Sequence, residues 1–143
     1  MDKRSAPVDA LAKAHRALRK ALRKLEDALH SPQEIDPAET SRRLERMRKQ
    51  LTDHFRLEEE NGYMTAVLER EPHLERTVEH LRDEHHQLAD TLSRLIEEAK
   101  KIDQLDDGLR EHIRAWLERI RQHEARENRL VQDVFNLDID AED

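Results

Sequence analysis

The sequence predicts an all-α fold, an up-down-up-down antiparallel four-helix bundle. Three observations lead there. Apolar residues recur at spacings of three and four along four separate stretches, the periodicity of amphipathic helices rather than of strands. The stretches are parted by short breaks rich in Pro, Gly, Ser, Asn and Asp, and short connections make consecutive helices antiparallel neighbours. With two Gly, four Pro and only four aromatics (Phe55, Tyr63, Trp116, Phe135) against 41% charged residues, the chain has little material for a sheet. At 143 residues it suits one domain, with a core expected over about 6–135 and an acidic, frayed tail over 136–143.

The first helix is expected over Ala6 to Leu29, with Ser5 as cap and Pro7 in the first turn. Its stripe reads Leu11, His15, Leu18, Leu22, Leu25, Leu29, so His15 occupies a place the pattern otherwise gives to Leu. The second helix opens with Asp36 as N-cap, Pro37 at the first helical position and Glu39 completing a capping box. Its stripe is Leu44, Met47, Leu51, His54 with Phe55, and Glu58. Asn61-Gly62 then marks a C-cap or kink, and Tyr63 to Arg70 reads as a short helical continuation.

The third helix is expected from near Pro72 to about Ile102, with Val78, Leu81, His85, Leu88, Leu92, Leu95 and Ala99 inward. His85 lies in that stripe; His86 points away from it and His80 sits at its edge. Asp103 to Gly108 forms the last turn, and the fourth helix turns Leu109, Ile113, Trp116, Ile120, His123, Glu127, Val131 and Val134 inward.

Composition excludes several functions. There is no Cys, hence no disulfide, thiolate metal site, iron–sulfur cluster or c-type haem attachment, and any metal must be held by nitrogen and oxygen. The basic residues before Leu22 surround no uninterrupted apolar core, and no later run approaches membrane-spanning length, so a cytoplasmic protein without a membrane partner is expected. A net charge of -7 argues against nucleic acid as the partner, and the basic first helix reads as a solvated face paired with Glu-rich neighbours.

His-x-x-x-Glu places an imidazole and a carboxylate one above the other on a helix. The chain holds four such spacings, where roughly one is expected by chance at this composition. His30/Glu34 spans Pro32 and His80/Glu84 lies at a helix edge, which leaves His54/Glu58 and His123/Glu127 in core phase. Counted outward from turns near residues 33, 72 and 104, His15, His54, Glu58, His85, His123 and Glu127 fall in one layer of the bundle, within about two helical turns.

A polar core network of histidines bonded to glutamates is the alternative. It would bury two carboxylates with no core-facing Lys or Arg in phase, at several kcal/mol per uncompensated ion, a cost that cations remove. Four imidazoles and two carboxylates are too many for one structural zinc. They suit two ions bridged by both carboxylates, each capped by two imidazoles, with a solvent-derived oxo or hydroxo bridge and a coordination position left for an exogenous molecule. Iron fits such nitrogen–oxygen ligation best; manganese and zinc are the runners-up.

This pattern, a His on helix 1, His-x-x-x-Glu on helix 2, a His on helix 3 and His-x-x-x-Glu on helix 4, resembles the hemerythrin-like (HHE cation-binding) family over about Leu11 to Phe135. The segments His54-Phe-Arg-Leu-Glu58-Glu-Glu and Leu81-Arg-Asp-Glu-His85 carry the resemblance. Ferritin-like di-iron proteins use Glu-x-x-His instead. The resemblance implies His15, His54, Glu58, His85, His123 and Glu127 as ligands of two non-haem irons, with the glutamates as bridges. Oxygen-carrying hemerythrins have a second helix-3 histidine one turn from the first and an aspartate on helix 4. Leu81 and Ala89 flank His85 here and the helix-4 carboxylate is Glu127, which resembles a four-His, two-Glu branch that includes proteins linked to nitric-oxide stress, iron–sulfur repair and iron sensing.

The function expected is therefore metal-ion binding, with O2, NO or peroxide bound, sensed or reduced at the open position, or iron itself sensed or handled. No residue is assigned a catalytic role. A helical protein-interaction module in which the metal is only structural is the competing expectation.

Overall fold

A computed structural model describes residues 6–30, 36–104 and 106–136. Four long helices and one short one account for nearly all of them: α1 Ala6–Leu29, α2 Pro37–Glu59, α3 Tyr63–Arg70, α4 Glu75–Lys100 and α5 Asp107–Phe135. The Ser5 cap and the acidic tail expected after Asn136 lie outside the described residues.

Local chemistry fixes the helix ends. Asp36 accepts from the Glu39 backbone N–H at 2.9 Å with Pro37 in the first turn, while the Glu39 carboxylate faces Arg42 and Arg43, so the Asp36 half of the anticipated capping box forms. Asp106 caps α5 in the same way, accepting from Leu109 N–H at 2.7 Å. The α4 boundary differs from expectation. Glu71, which precedes Pro72, is held at φ -134, ψ 78, and Pro72–Leu74 forms a single 3-10 turn before α4 starts at Glu75.

The α2–α3 corner depends on two residues. Asn61 takes a left-handed φ of 60, and a Cβ on Gly62 would stand 2.0 Å from the Leu57 carbonyl oxygen and 2.6 Å from that of Glu58. Only glycine lets the chain fold back against the end of α2.

α2 packs on α4, α4 on α5, and α1 on both α2 and α5. Side-chain pairs show the antiparallel register: Glu45 meets Lys100 while Glu59 meets Arg82, and Glu98 meets His112 while Glu84 meets Arg126. On the α1–α5 seam Glu26 bonds Arg121 and His15 bonds Asn128. α3 touches all four long helices and closes one end.

The core is divided. A larger apolar cluster holds Leu18, Leu22, Leu44, Leu51, Leu92, Ile96, Leu109, Ile113, Trp116 and Ile120, with the Trp116 indole N–H satisfied by the Leu88 carbonyl at 2.9 Å. A smaller one joins Val8 and Leu11 to Tyr63, Met64, Val67, Val78, Leu81 and Val131. Along α1, α4 and α5 the buried residues between the two clusters are all polar: His15, His85, and His123, Glu124, Glu127 and Asn128. Each fully buried Leu contributes about 1.5–3 kcal/mol, so two apolar blocks clamp a polar layer from above and below.

Candidate metal centre

All six sequence-selected residues are buried and meet in this layer. The most exposed, His54, retains 7% of its surface and the others 2% or less. His80 and His86 face outward, as the helical phase requires.

The two glutamates divide their oxygens between two imidazole pairs. Glu58 Oε2 lies 2.7 Å from His54 Nε2 and 3.2 Å from His15 Nε2, while its Oε1 lies 3.0 Å from His85 Nε2. Glu127 Oε1 lies 3.1 Å from His15 Nε2, while its Oε2 lies 3.2 and 3.3 Å from the Nε2 atoms of His85 and His123. Two four-residue groups result, His15, His54, Glu58, Glu127 and Glu58, His85, His123, Glu127, each with its donor atoms within 4.8 Å of one another.

These short contacts are not a closed hydrogen-bond network. His54 Nε2, His123 Nε2 and Glu58 Oε1 are buried without a hydrogen-bond partner despite lying so near opposite charge. Buried polar atoms without partners are rare, and here they lie beside His15 and His85 Nε2 atoms that do bond Glu58 and Glu127, so the layer is hydrogen-bonded only in part. Imidazole and carboxylate are donors for borderline and hard cations, so the set fits a pair of metal ions. Among the described residues every ion pair of Glu58 and Glu127 is with an imidazole, none with Lys or Arg.

Outside this ring stand groups that the sequence pattern did not single out. The Nδ1 of His15 is 2.7 Å from Asn128 Oδ1, that of His85 is 2.7 Å from Glu59 Oε2, and that of His123 is 2.7 Å from Glu84 Oε1. An Nδ1–H donated outward leaves the Nε2 lone pair facing the layer, as a metal-binding tautomer requires. Arg126 holds Glu84 at 2.7 Å, Tyr63 donates its hydroxyl to Glu127 Oε2 at 2.7 Å, and Phe55 stacks on His85 with ring centroids 3.8 Å apart. Glu84 was legible only as the partner of His80, since a helix wheel shows the neighbour on the same helix and not the His123 it reaches on α5.

Electrostatics follow from this crowding. Burial alone would push the His15 pKa down, but hydrogen bonds to Glu127 and Glu58 outweigh it and hold it well above 6.5. The same balance raises His85 to about 10 and raises His123. Burial pushes both glutamates up, and the charge of Glu127 adds to this at Glu58, yet the surrounding imidazoles leave both below the ordinary carboxylate value. Glu124, buried beside His15 and His54, is raised by burial.

With the geometry in hand, the comparison with known families is decisive on ancestry: the model of the hemerythrin HHE cation-binding domain matches residues 6–134. The chain belongs to the hemerythrin HHE family. A hemerythrin-type domain binds cations, and this one has buried His and Glu groups able to hold them. No curated protein and no solved structure matches the chain. Among the described residues no helix is long and apolar enough to cross a membrane.

Proposed function

We propose that this hemerythrin-type bundle is a non-haem di-iron protein in which Glu58 and Glu127 bridge two ions, one capped by His15 and His54, the other by His85 and His123. The observation that carries the reading is the division of oxygens: each glutamate turns Oε1 to one imidazole pair and Oε2 to the other. A polar network would have satisfied His54 Nε2 and His123 Nε2 with hydrogen bonds, and it does not.

Bound iron would supply an open coordination position and a change of oxidation state, on which O2, NO or peroxide is bound, sensed or reduced, or through which iron itself is handled. The protein's own groups do the rest. The Nδ1 partners Asn128, Glu59 and Glu84 lock three imidazoles in orientation, and Tyr63 holds Glu127 from the α3 side. The apolar clusters above and below restrict water to what the layer admits.

Metal analysis of protein prepared without chelator, paired with an absorption spectrum, tests this. Close to two irons per chain with the charge-transfer bands of bridged iron is expected. One ion per chain, or none after reconstitution with ferrous iron, contradicts it.

A further inference from the structure

The two halves of the centre have the same donors but different support, and from this we infer that the positions are unequal: the His85/His123 position holds its ion more tightly, and the His15/His54 position fills second and empties first. The inference rests on the two-ion reading and adds a ranking that the six donor residues alone, two imidazoles and two shared carboxylates on each side, cannot supply.

On the tighter side both imidazoles are backed by carboxylates. His85 Nδ1 meets Glu59 and His123 Nδ1 meets Glu84, each at 2.7 Å, and Glu84 is itself clamped by Arg126. A carboxylate accepting the outer N–H makes the ring a stronger donor and fixes its angle, and losing such a partner weakens metal binding by about 10–100-fold. Phe55 adds rigidity by stacking on His85 at 3.8 Å, while its edge-on contacts at 5.9 Å are shared equally by His123 and His54.

The other side is supported less. His15 Nδ1 has a neutral amide, Asn128 Oδ1, at 2.7 Å, and the nearest carboxylate, Glu124, stands off at 3.8 Å with that oxygen making no hydrogen bond. Among the described residues no hydrogen bond or ion pair is made by His54 Nδ1, and His54 is the most exposed of the six. Solvent access does not add to this difference: Asn128 and Glu124 are 3% and 4% exposed, whereas Glu59 and Glu84 keep 24% and 14% of their side-chain surface. One contact opposes the ranking. Tyr63 donates to Glu127 Oε2, the oxygen facing His85 and His123, and draws charge from it. It is a single neutral donor set against two carboxylates.

Cobalt(II), which takes nitrogen–oxygen sites without redox change, is the probe; metal-free protein is titrated by calorimetry while the d–d bands are followed. Wild type is expected to bind two ions in two steps separated by at least about tenfold. His54→Ala should keep one ion near the first-step affinity, whereas His123→Ala should keep one at least about tenfold weaker. Glu59→Gln with Glu84→Gln should weaken the first step and shift its d–d bands, and Asn128→Asp, which places a carboxylate behind His15, should strengthen the second step in a bundle of unchanged helicity. Two equal steps in wild type, tighter binding by His123→Ala than by His54→Ala, or equal weakening of both steps by the glutamine pair overturns the ranking and leaves the two-ion reading standing. A wild-type protein that takes up no cobalt and no ferrous iron overturns both.

Discussion

The layer of histidines and glutamates and the apolar cluster beside it are built by the same four helices from consecutive turns of the same stripes, yet they relate to stability in opposite ways. In the cluster, Leu22, Leu44, Leu92, Ile113 and Trp116 are stabilised by burial itself, whatever the protein binds. In the layer, burial opposes the charges of Glu58 and Glu127, which persist only because something positive sits between them. Without metal that role falls to protons on His15, His85 and His123. The fold is therefore carried by the apolar blocks, while the layer is a site they hold in place.

Substitutions that separate the two regions should show the largest effects. Leu92→Ala, deep in the larger cluster, is expected to lower stability by about 2–5 kcal/mol in chemical denaturation while leaving metal per chain unchanged. Glu58→Ala or Glu127→Ala should do the reverse, removing metal from both positions together while the circular-dichroism signal of the helices remains. If either glutamate variant still bound two ions with an unaltered spectrum, that residue would not be a bridge.

Next in size is the response to pH, where the sign distinguishes protons from metal. The raised imidazoles contribute stability that is fully present below 6.5 and lost as pH rises through their folded values, about 10 for His85. The depressed carboxylates contribute stability present above 4.5 and lost as pH falls through their lower folded values. The metal-free protein should therefore be most stable between 4.5 and 6.5. Metal displaces those protons, so the gap in melting temperature between loaded and metal-free protein should widen from about pH 6 to about pH 9. A constant gap would mean that the imidazoles are not the groups being exchanged.

Smaller still is Gly62→Ala. The added methyl meets the Leu57 carbonyl oxygen at 2.0 Å and that of Glu58 at 2.6 Å, so the end of α2 must shift, at a cost of about 1–3 kcal/mol and with reduced metal occupancy. His80→Gln and His86→Gln, on the outer face of α4, should change neither stability nor stoichiometry.

Periodicity made the four stripes and the six inward residues legible, because one helix face is a one-dimensional pattern and a common height needs only residue counts from each turn. Val134 was expected inward and is only partly buried, at the end of α5 where fewer neighbours remain. The 3-10 turn at Pro72–Leu74 is indistinguishable in sequence from the start of a helix, since a proline suits either. What the sequence could not display were contacts between helices: Glu59 reaching His85, Glu84 reaching His123, Asn128 reaching His15 and Tyr63 reaching Glu127. Each joins residues that no spacing on one helix relates. The cost of burying the two carboxylates is also smaller than a count of Lys and Arg implies, because the imidazoles accept compensating protons.

Anomalous diffraction at the iron absorption edge from crystals of iron-loaded protein would locate the ions themselves. Two peaks are expected in the polar layer, one beside the Nε2 atoms of His15 and His54, the other beside those of His85 and His123, with Glu58 and Glu127 each reaching both. A single peak, or two peaks of which either glutamate touches only one, would contradict the bridged pair.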